Sequence, residues 1–173
     1  MTGRYKNERL GACTDCRRFW SKYRANKINK EEINVIEDNL ATTAGTCAIM
    51  GTASSMAIIA ETLGIMVPGT SCIPSVHSDR LRASEETGVI ASTLAKNNEL
   101  LPSNIITKKS FDNALRILLS ISGSTNAIIH LTAVAKRLGI YISLKEINKI
   151  SDETPVLVNL KPTGEGYMED LYA

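Results

Sequence analysis

The 173-residue sequence carries almost no excess of charge of either sign, with 20 Lys plus Arg against 18 Asp plus Glu, a formal net charge of +2. It contains no long basic run. That balance leaves no electrostatic footprint for nucleic acid or an anionic membrane surface, and directs attention to small molecules or protein surfaces as partners. The N-terminal stretch MTGRYKNERLG lacks the apolar core of a secretion signal, and no Asn-X-Ser/Thr acceptor occurs in the chain. A cytoplasmic, reducing compartment is the resulting expectation. Cys13, Cys16, Cys47 and Cys72 are therefore expected as free thiols or metal ligands rather than as two disulfides. Residues 40–60 and 117–135 lack Asp, Glu, Lys and Arg, but Thr42, Thr43, Thr46 and Ser54 in the first and SGSTN in the second mark them as buried soluble segments rather than membrane spans. Internal repeats and low-complexity linkers are also missing.

What is present suffices for one domain. With 43% apolar residues, disorder and collagen-like composition are excluded. A chain of this length can bury roughly 68 to 70% of its unfolded surface without the help of disulfides or metal. Asp15 to Arg24 reads as a short helix, and Asn29 with Glu32 starts a second that runs to about Leu40, both polar and on the outside. Thr46 is placed to cap a third helix from Cys47 to Leu63, ended by Gly64, with IMVPG as a short strand or extended link beyond it. Ser78 and Asp79 open a charged helix reaching about Lys96, with His77 at its start. Thr107 caps Lys108 to Ser120, striped by Phe111, Leu115 and Leu118 or Leu119. SISGSTN leads into a helix from about Thr125 to Leu138, closed by Gly139, with Ala127, Leu131, Val134 and Leu138 facing inward. Ser143 and Glu146 form a capping box, and PVLVNL (155–160) is the clearest strand. The pattern predicts an α/β domain, rich in helix, whose helices pack on a mostly parallel sheet. The abrupt ends, with TGEGYMEDLYA closing on no element, suggest part of a longer chain, and 1–173 is read as a single partial domain.

Three segments could carry chemistry. In GTCAIMGTASSM, Cys47 at a helix start would face unpaired N–H groups and the positive dipole end, which favours a thiolate. Gly51, Ala53, Ser54 and Ala57 would let a cofactor or another backbone come close. The same pattern suits an inert thiol in a tightly packed core, which periodicity alone favours. Cys13 and Cys16 form a C-x-x-C, either half of a zinc site or a coincidental pair, and no second C-x-x-C exists. The SGSTN turn, with Ser124, Thr125 and Asn126, offers hydroxyls and N–H groups where a carboxylate or phosphate could be held, or else a capped helix start. His130, among Ile128, Ile129 and Leu131, reads as a core histidine. No paired-carboxylate or Ser/His/Asp arrangement emerges from the spacing, so no catalytic residue is assigned.

Five blocks, GACTDCRRFW, GTCAIMGTASSMAIIAETLG, VPGTSCIPSVHSDRLRASEETG, FDNALRILLSISGSTNAIIHLTAVAKRLG and TPVLVNLKPTGEGYMEDLYA, stand in the order found in the dihydroxy-acid and sugar-acid dehydratase family, which the chain resembles over nearly its whole length. The resemblance implies a hydro-lyase that removes water from a 2,3-dihydroxy carboxylic acid to give a 2-oxo acid, as in branched-chain amino-acid biosynthesis or sugar-acid catabolism. It further implies a 2Fe–2S or 4Fe–4S iron–sulfur cluster held by three cysteines, with one open iron as Lewis acid. Mg²⁺ on the substrate, a serine base in a second domain, and a homodimer also follow from the resemblance. The GTCxxMGTA cysteine of the family corresponds to Cys47. The other two cluster cysteines, and most magnesium ligands, belong to blocks upstream of Met1, and the second domain lies downstream of Ala173. Cys13, Cys16 and Cys72 match no cluster motif. Ser122 stands where the family's GGSTN has glycine. The chain alone is therefore expected to be inactive and poorly soluble, with only the Ser124–Asn126 turn as a further substrate-proximal candidate. Two other functions stay open, a non-catalytic remnant that binds an intact dehydratase subunit, and a small zinc or redox module built on Cys13 and Cys16.

Overall fold

The computed structural model describes residues 1–172. A two-residue turn opens the chain: Lys6 and Asn7 both take left-handed φ, 45° and 66°, and fold β1 (Gly3–Tyr5) back on β2 (Glu8–Leu10) as an antiparallel hairpin. Two helices follow. α1 (Ala12–Arg24) begins three residues before Asp15, and α2 (Lys30–Asp38) is capped by Asn29, whose side chain accepts from the Glu32 N–H at 2.8 Å. Their polar composition suggests outside helices, yet the pair builds a small core of its own. Phe19, Ile33 and Ile36 close on Leu10 of the hairpin, with Tyr5 edge-on to Phe19 at 5.8 Å. Phe19, Trp20 and Tyr23 fall on one side of α1, so a few large side chains suffice.

The larger core joins α3 (Thr52–Thr62), α6 (Lys108–Ser120), α7 (Asn126–Arg137) and α8 (Leu144–Glu153). Between them come α4 (Ser78–Leu94), a single 3₁₀ turn at Asn98–Leu100, and α5 (Pro102–Ile105). On α6, Phe111, Ala114, Leu115 and Leu118 recur at the spacing of one helical face and are all buried. α7 presents Ala127, Leu131 and Ala135 to it, whereas Val134 is exposed and Leu138 is only partly buried. The expected capping box of Ser143 with Glu146 forms, and Thr107, expected as a cap, makes a second box with Ser110.

Four helices end in one way. Asn26, Gly64, Ser122 and Gly139 take positive φ just past their helices. Each donates to the carbonyl three residues back, and the next residue's N–H donates five residues back, as Gly123 does to Leu118 at 2.9 Å. The predicted stops at Gly64 and Gly139 are thus observed, and Ser122 performs the same turn with a Cβ. Serine in that conformation is strained, so Ser122→Gly is expected to stabilise the protein by roughly 1 kcal/mol, read as a shift in urea midpoint.

The predicted mostly parallel sheet is not found. Among the described residues the sheet is the antiparallel hairpin, and PVLVNL does not become a strand. Its backbone makes one bond to the end of α6, Leu157 N–H to the Ser120 carbonyl at 2.8 Å, and Leu160 forms an isolated parallel bridge with Gly166. A strand needs a neighbour to pair with. With none beside it, Val156 and Leu157 stay 62% and 74% exposed. IMVPG likewise joins a looped stretch. The C-terminal segment does close on an element, α9 (Met168–Tyr172), which Arg9 holds through paired bonds to Asp170 at 2.6 and 2.9 Å. Among the described residues no helix is long and apolar enough to cross a membrane.

Candidate functional site

Cys47 does not open a helix. α3 starts five residues later, behind an extended Gly51, and Thr46 is exposed and caps nothing. The cause is the backbone of the intervening residues. The Met50 N–H donates to the Lys161 carbonyl at 2.9 Å, the Ala48 carbonyl accepts from Met168 at 2.8 Å, and Ile49 and Met50 are buried. Groups bonded across to the C-terminal segment cannot also make a first helical turn, so the dipole argument for Cys47 falls.

What the loop forms instead is one wall of a cavity of about 270 Å³. The half-buried, free Cys47 thiol shares that cavity with Cys72, Arg80 and the small residues Ala53, Ser54 and Ala57 of α3. Of the four small residues singled out in the sequence, Ala53, Ser54 and Ala57 border this space and Gly51 does not. The facing loop is held by Glu61 on α3, whose carboxylate accepts from the Gly69 and Ser71 N–H groups at 2.8 and 2.9 Å. Burial works against that charge, but the Ser71 and Gly69 hydrogen bonds hold the Glu61 carboxyl below its usual range. Gly45, at φ +122°, approaches this loop so closely that a Cβ would lie 2.5 Å from Ser75 Oγ.

Behind the Cys47 loop lies a charged cluster that the spacing of the sequence did not reveal. Asp15, 3% exposed, accepts from the Gly11 N–H at 2.6 Å, from Arg18 Nη2 at 2.9 Å and from the Tyr167 hydroxyl at 3.3 Å, and its carboxylate lies 3.6 Å from Lys161 Nζ. Lys161 in turn donates to the Tyr167 hydroxyl at 2.7 Å. Burial pushes the Asp15 carboxyl up, yet the Gly11 hydrogen bond, Lys161 and Arg18 outweigh it and leave the group below its ordinary value. The residue that supplies the Lys161 carbonyl to Met50 thus also supplies the ammonium that faces Asp15.

Cys13, in the first turn of α1, reaches the same loop. The neighbouring Cys47 thiol, together with partial burial, pushes the Cys13 thiol up. Cys72 lines the cavity opposite, while Cys16 is half-buried on α1.

The SGSTN turn does not line this cavity. It ties together the starts of α3 and α7: Ser124 Oγ lies 2.9 Å from Thr52 Oγ1, the Ser124 N–H donates to Ser55 Oγ at 2.9 Å, and Asn126 Nδ2 donates to Thr52 Oγ1 at 3.1 Å. Thr125 sits exposed at the N-cap without a side-chain capping bond. Ser124→Ala would remove the tie to Thr52 and is expected to cost about 1 kcal/mol, measurable by thermal unfolding. The predicted core histidine, His130, is exposed because α7 buries its 127, 131 and 135 face. His77 does start α4, its Nδ1 accepting from the Asp79 N–H at 3.2 Å.

The donors present fit an iron–sulfur cluster through one ligand. Cys47 is a free thiol on a cavity wall, and among the described residues no set of three or more His, Cys, Asp or Glu side chains is arranged to hold a metal ion. They do not fit magnesium. Among the described residues the one carboxylate lining the cavity, Glu169, is taken by Thr2 at 2.6 and 3.1 Å and by Arg9 at 3.3 Å.

Residues 1–173 match the profile of the dihydroxy-acid/6-phosphogluconate dehydratase N-terminal family. The chain belongs to that family. A dihydroxy-acid dehydratase of Caldanaerobacter subterraneus is 42% identical over 86% of this chain and 27% of its own length. Those of Thermodesulfovibrio yellowstonii and Pyrococcus abyssi are 36% and 33% identical, each over 99% of this chain and 31% of their own. The chain thus spans less than a third of the dehydratases it matches, and the Cys47 cavity lies in that shared part.

Proposed function

We propose that this chain is part of an iron–sulfur hydro-lyase that converts a 2,3-dihydroxy carboxylic acid, a branched-chain dihydroxy acid or a sugar acid, to a 2-oxo acid. The observation that carries the reading is the free Cys47 thiol on the wall of a cavity lined by small residues, in a member of a dehydratase family. Cys47 is proposed as one thiolate ligand of a 2Fe–2S or 4Fe–4S cluster, the others coming from outside the described residues. The bound group supplies Lewis acidity at the departing 3-hydroxyl. This chain supplies the rest of the pocket's form. The backbone bonds from Lys161 and Met168 fix the loop that presents the thiol, and Glu61 holds the opposite wall.

In the same proposal Ser124, Thr125 and Asn126, which do not line the cavity but are tied to the start of α3 through Thr52 and Ser55, are substrate-proximal in the complete enzyme, which is a homodimer working in the cytoplasm. The test joins this chain to the remaining portion of a related dehydratase and measures 2-oxo acid formation with and without Cys47→Ala. Loss of turnover supports the assignment, and unchanged turnover refutes it.

A second reading has one observation in its favour. α4 buries only Ala83 among its residues and leaves Leu81 and Val89 bare, which suits a piece that associates with an intact dehydratase subunit. Co-purification with a full-length relative would favour that reading.

A further inference from the structure

We propose that the opening turn of α3, together with Arg80, is the subsite for the carboxylate of the hydroxy acid that the cavity takes. The choice of a hydroxy acid rests on the dehydratase reading above; the affinity for an anion does not. α3, 11 residues long, starts on the cavity wall with Ala53 and Ser54, and Gly51 before it has no side chain with which to cap it. Its first bonded amide is that of Ser55, which donates to the Gly51 carbonyl at 3.0 Å. The Thr52, Ala53 and Ser54 N–H groups find no acceptor among the described residues, and that turn carries the positive end of the helix dipole. Free backbone donors and dipole together favour an anion there.

A buried hydroxyl points to a ligand independently of the helix. Ser54 is only 6% exposed, and its side chain makes no hydrogen bond among the described residues. Among those residues the side-chain polar atom that is both unpartnered and closed to solvent is Thr14 Oγ1, so the Ser54 hydroxyl stays open, and the space beside it is the cavity it lines. An enclosed hydroxyl without a partner forfeits a hydrogen bond that a ligand would restore. Arg80, in the first turn of α4, is the one basic side chain on the wall among the described residues. Its Nη2 donates to the Ile73 carbonyl, and the rest of its planar fork has no acceptor among the described residues. The Glu169 carboxylate is already held by Arg9 and Thr2, so the charge left facing the cavity is positive. About 270 Å³ bordered by one guanidinium, one hydroxyl and a helix start suits a small carboxylate.

The experiment titrates the metal-free chain by calorimetry in a low-salt buffer free of phosphate and sulfate, with D-gluconate as the probe and D-sorbitol and glycerol 3-phosphate beside it. Gluconate carries the carboxylate and the 2,3-diol, sorbitol carries diols without the charge, and glycerol 3-phosphate carries a different oxyanion. The expected result is saturable binding of gluconate, weaker binding of glycerol 3-phosphate and none of sorbitol. Arg80→Gln is expected to weaken gluconate binding about tenfold, as loss of a charged hydrogen bond does, and Ser54→Ala about threefold, as loss of a neutral one does. Because Arg80 also holds the Ile73 carbonyl, thermal unfolding accompanies each variant, and Ser54→Ala, which keeps that contact, decides the matter if Arg80→Gln does not fold. Gluconate binding that is absent, unchanged in either folded variant, matched by sorbitol or surpassed by glycerol 3-phosphate would overturn the proposal. The readout needs neither iron nor turnover, so its failure would leave the ligand role of Cys47 to its own test, and failure of that role would leave the anion site standing.

Discussion

Asp15→Ala is expected to destabilise the protein by about 3 kcal/mol, a large share of the roughly 5 to 15 kcal/mol that separates folded from unfolded domains. The substitution strands groups that Asp15 now satisfies. The Gly11 N–H loses its 2.6 Å acceptor, the Tyr167 hydroxyl loses one of its partners, and Lys161 and Arg18 lose their shared buried anion. Because the side chains of Lys161 and Arg18 keep 23% and 37% of their exposure, water reclaims part of their charge and holds the figure at the lower end for a broken buried pair. Asp15→Asn preserves an acceptor for Gly11 and should lose less. Urea unfolding of the two variants measures both effects.

The same carboxylate sets the acid limit. The folded Asp15, Glu61 and Glu169 carboxyls all lie below their ordinary values, so the unfolded chain binds more protons as pH falls. Their contribution is complete above the unfolded carboxylate range of roughly 4 and is lost as pH drops through the lower folded values. Unfolding free energy should therefore hold steady from about pH 7 to 5 and decline below about 4, less steeply in Asp15→Ala than in the unaltered chain. An equal slope in the two proteins would mean that Asp15 is not among the groups responsible.

Local signals were legible in the sequence, and long-range ones were not. Asn29, Thr107, Ser143 with Glu146, Gly64 and Gly139 start or stop their helices as read, because a cap is decided within a few residues. PVLVNL has the composition of a strand, but pairing depends on a neighbour that the pattern cannot reveal. Thr46 has the look of a cap, yet the residues after it are bonded to Lys161 and Met168, more than a hundred positions along the chain. Asp15 and Tyr167 meet across 152 residues, beyond any spacing argument. Within the candidate site, Cys47 and its small neighbours were readable from GTCAIMGTASSM. The approach of Cys13 to Cys47 was not, since it depends on how α1 packs.

Cys47→Ala is expected to have the largest effect on function, because Cys47 is the thiol proposed to hold the cluster. Cys13 projects from α1 and Cys72 from the facing loop, and among the described residues no three donors converge. The fold should tolerate the change, since Cys47 is only half-buried and its loop is held by backbone bonds that alanine keeps. Loss of iron without loss of structure is thus the signature of a ligand. The decisive measurement is the iron and sulfide content of the complete, anaerobically reconstituted enzyme, with and without Cys47→Ala, beside the thermal unfolding of each. The account predicts that the variant unfolds close to the parent's temperature in the metal-free state and retains almost no iron or sulfide. A variant that still binds the parent's full complement would contradict it.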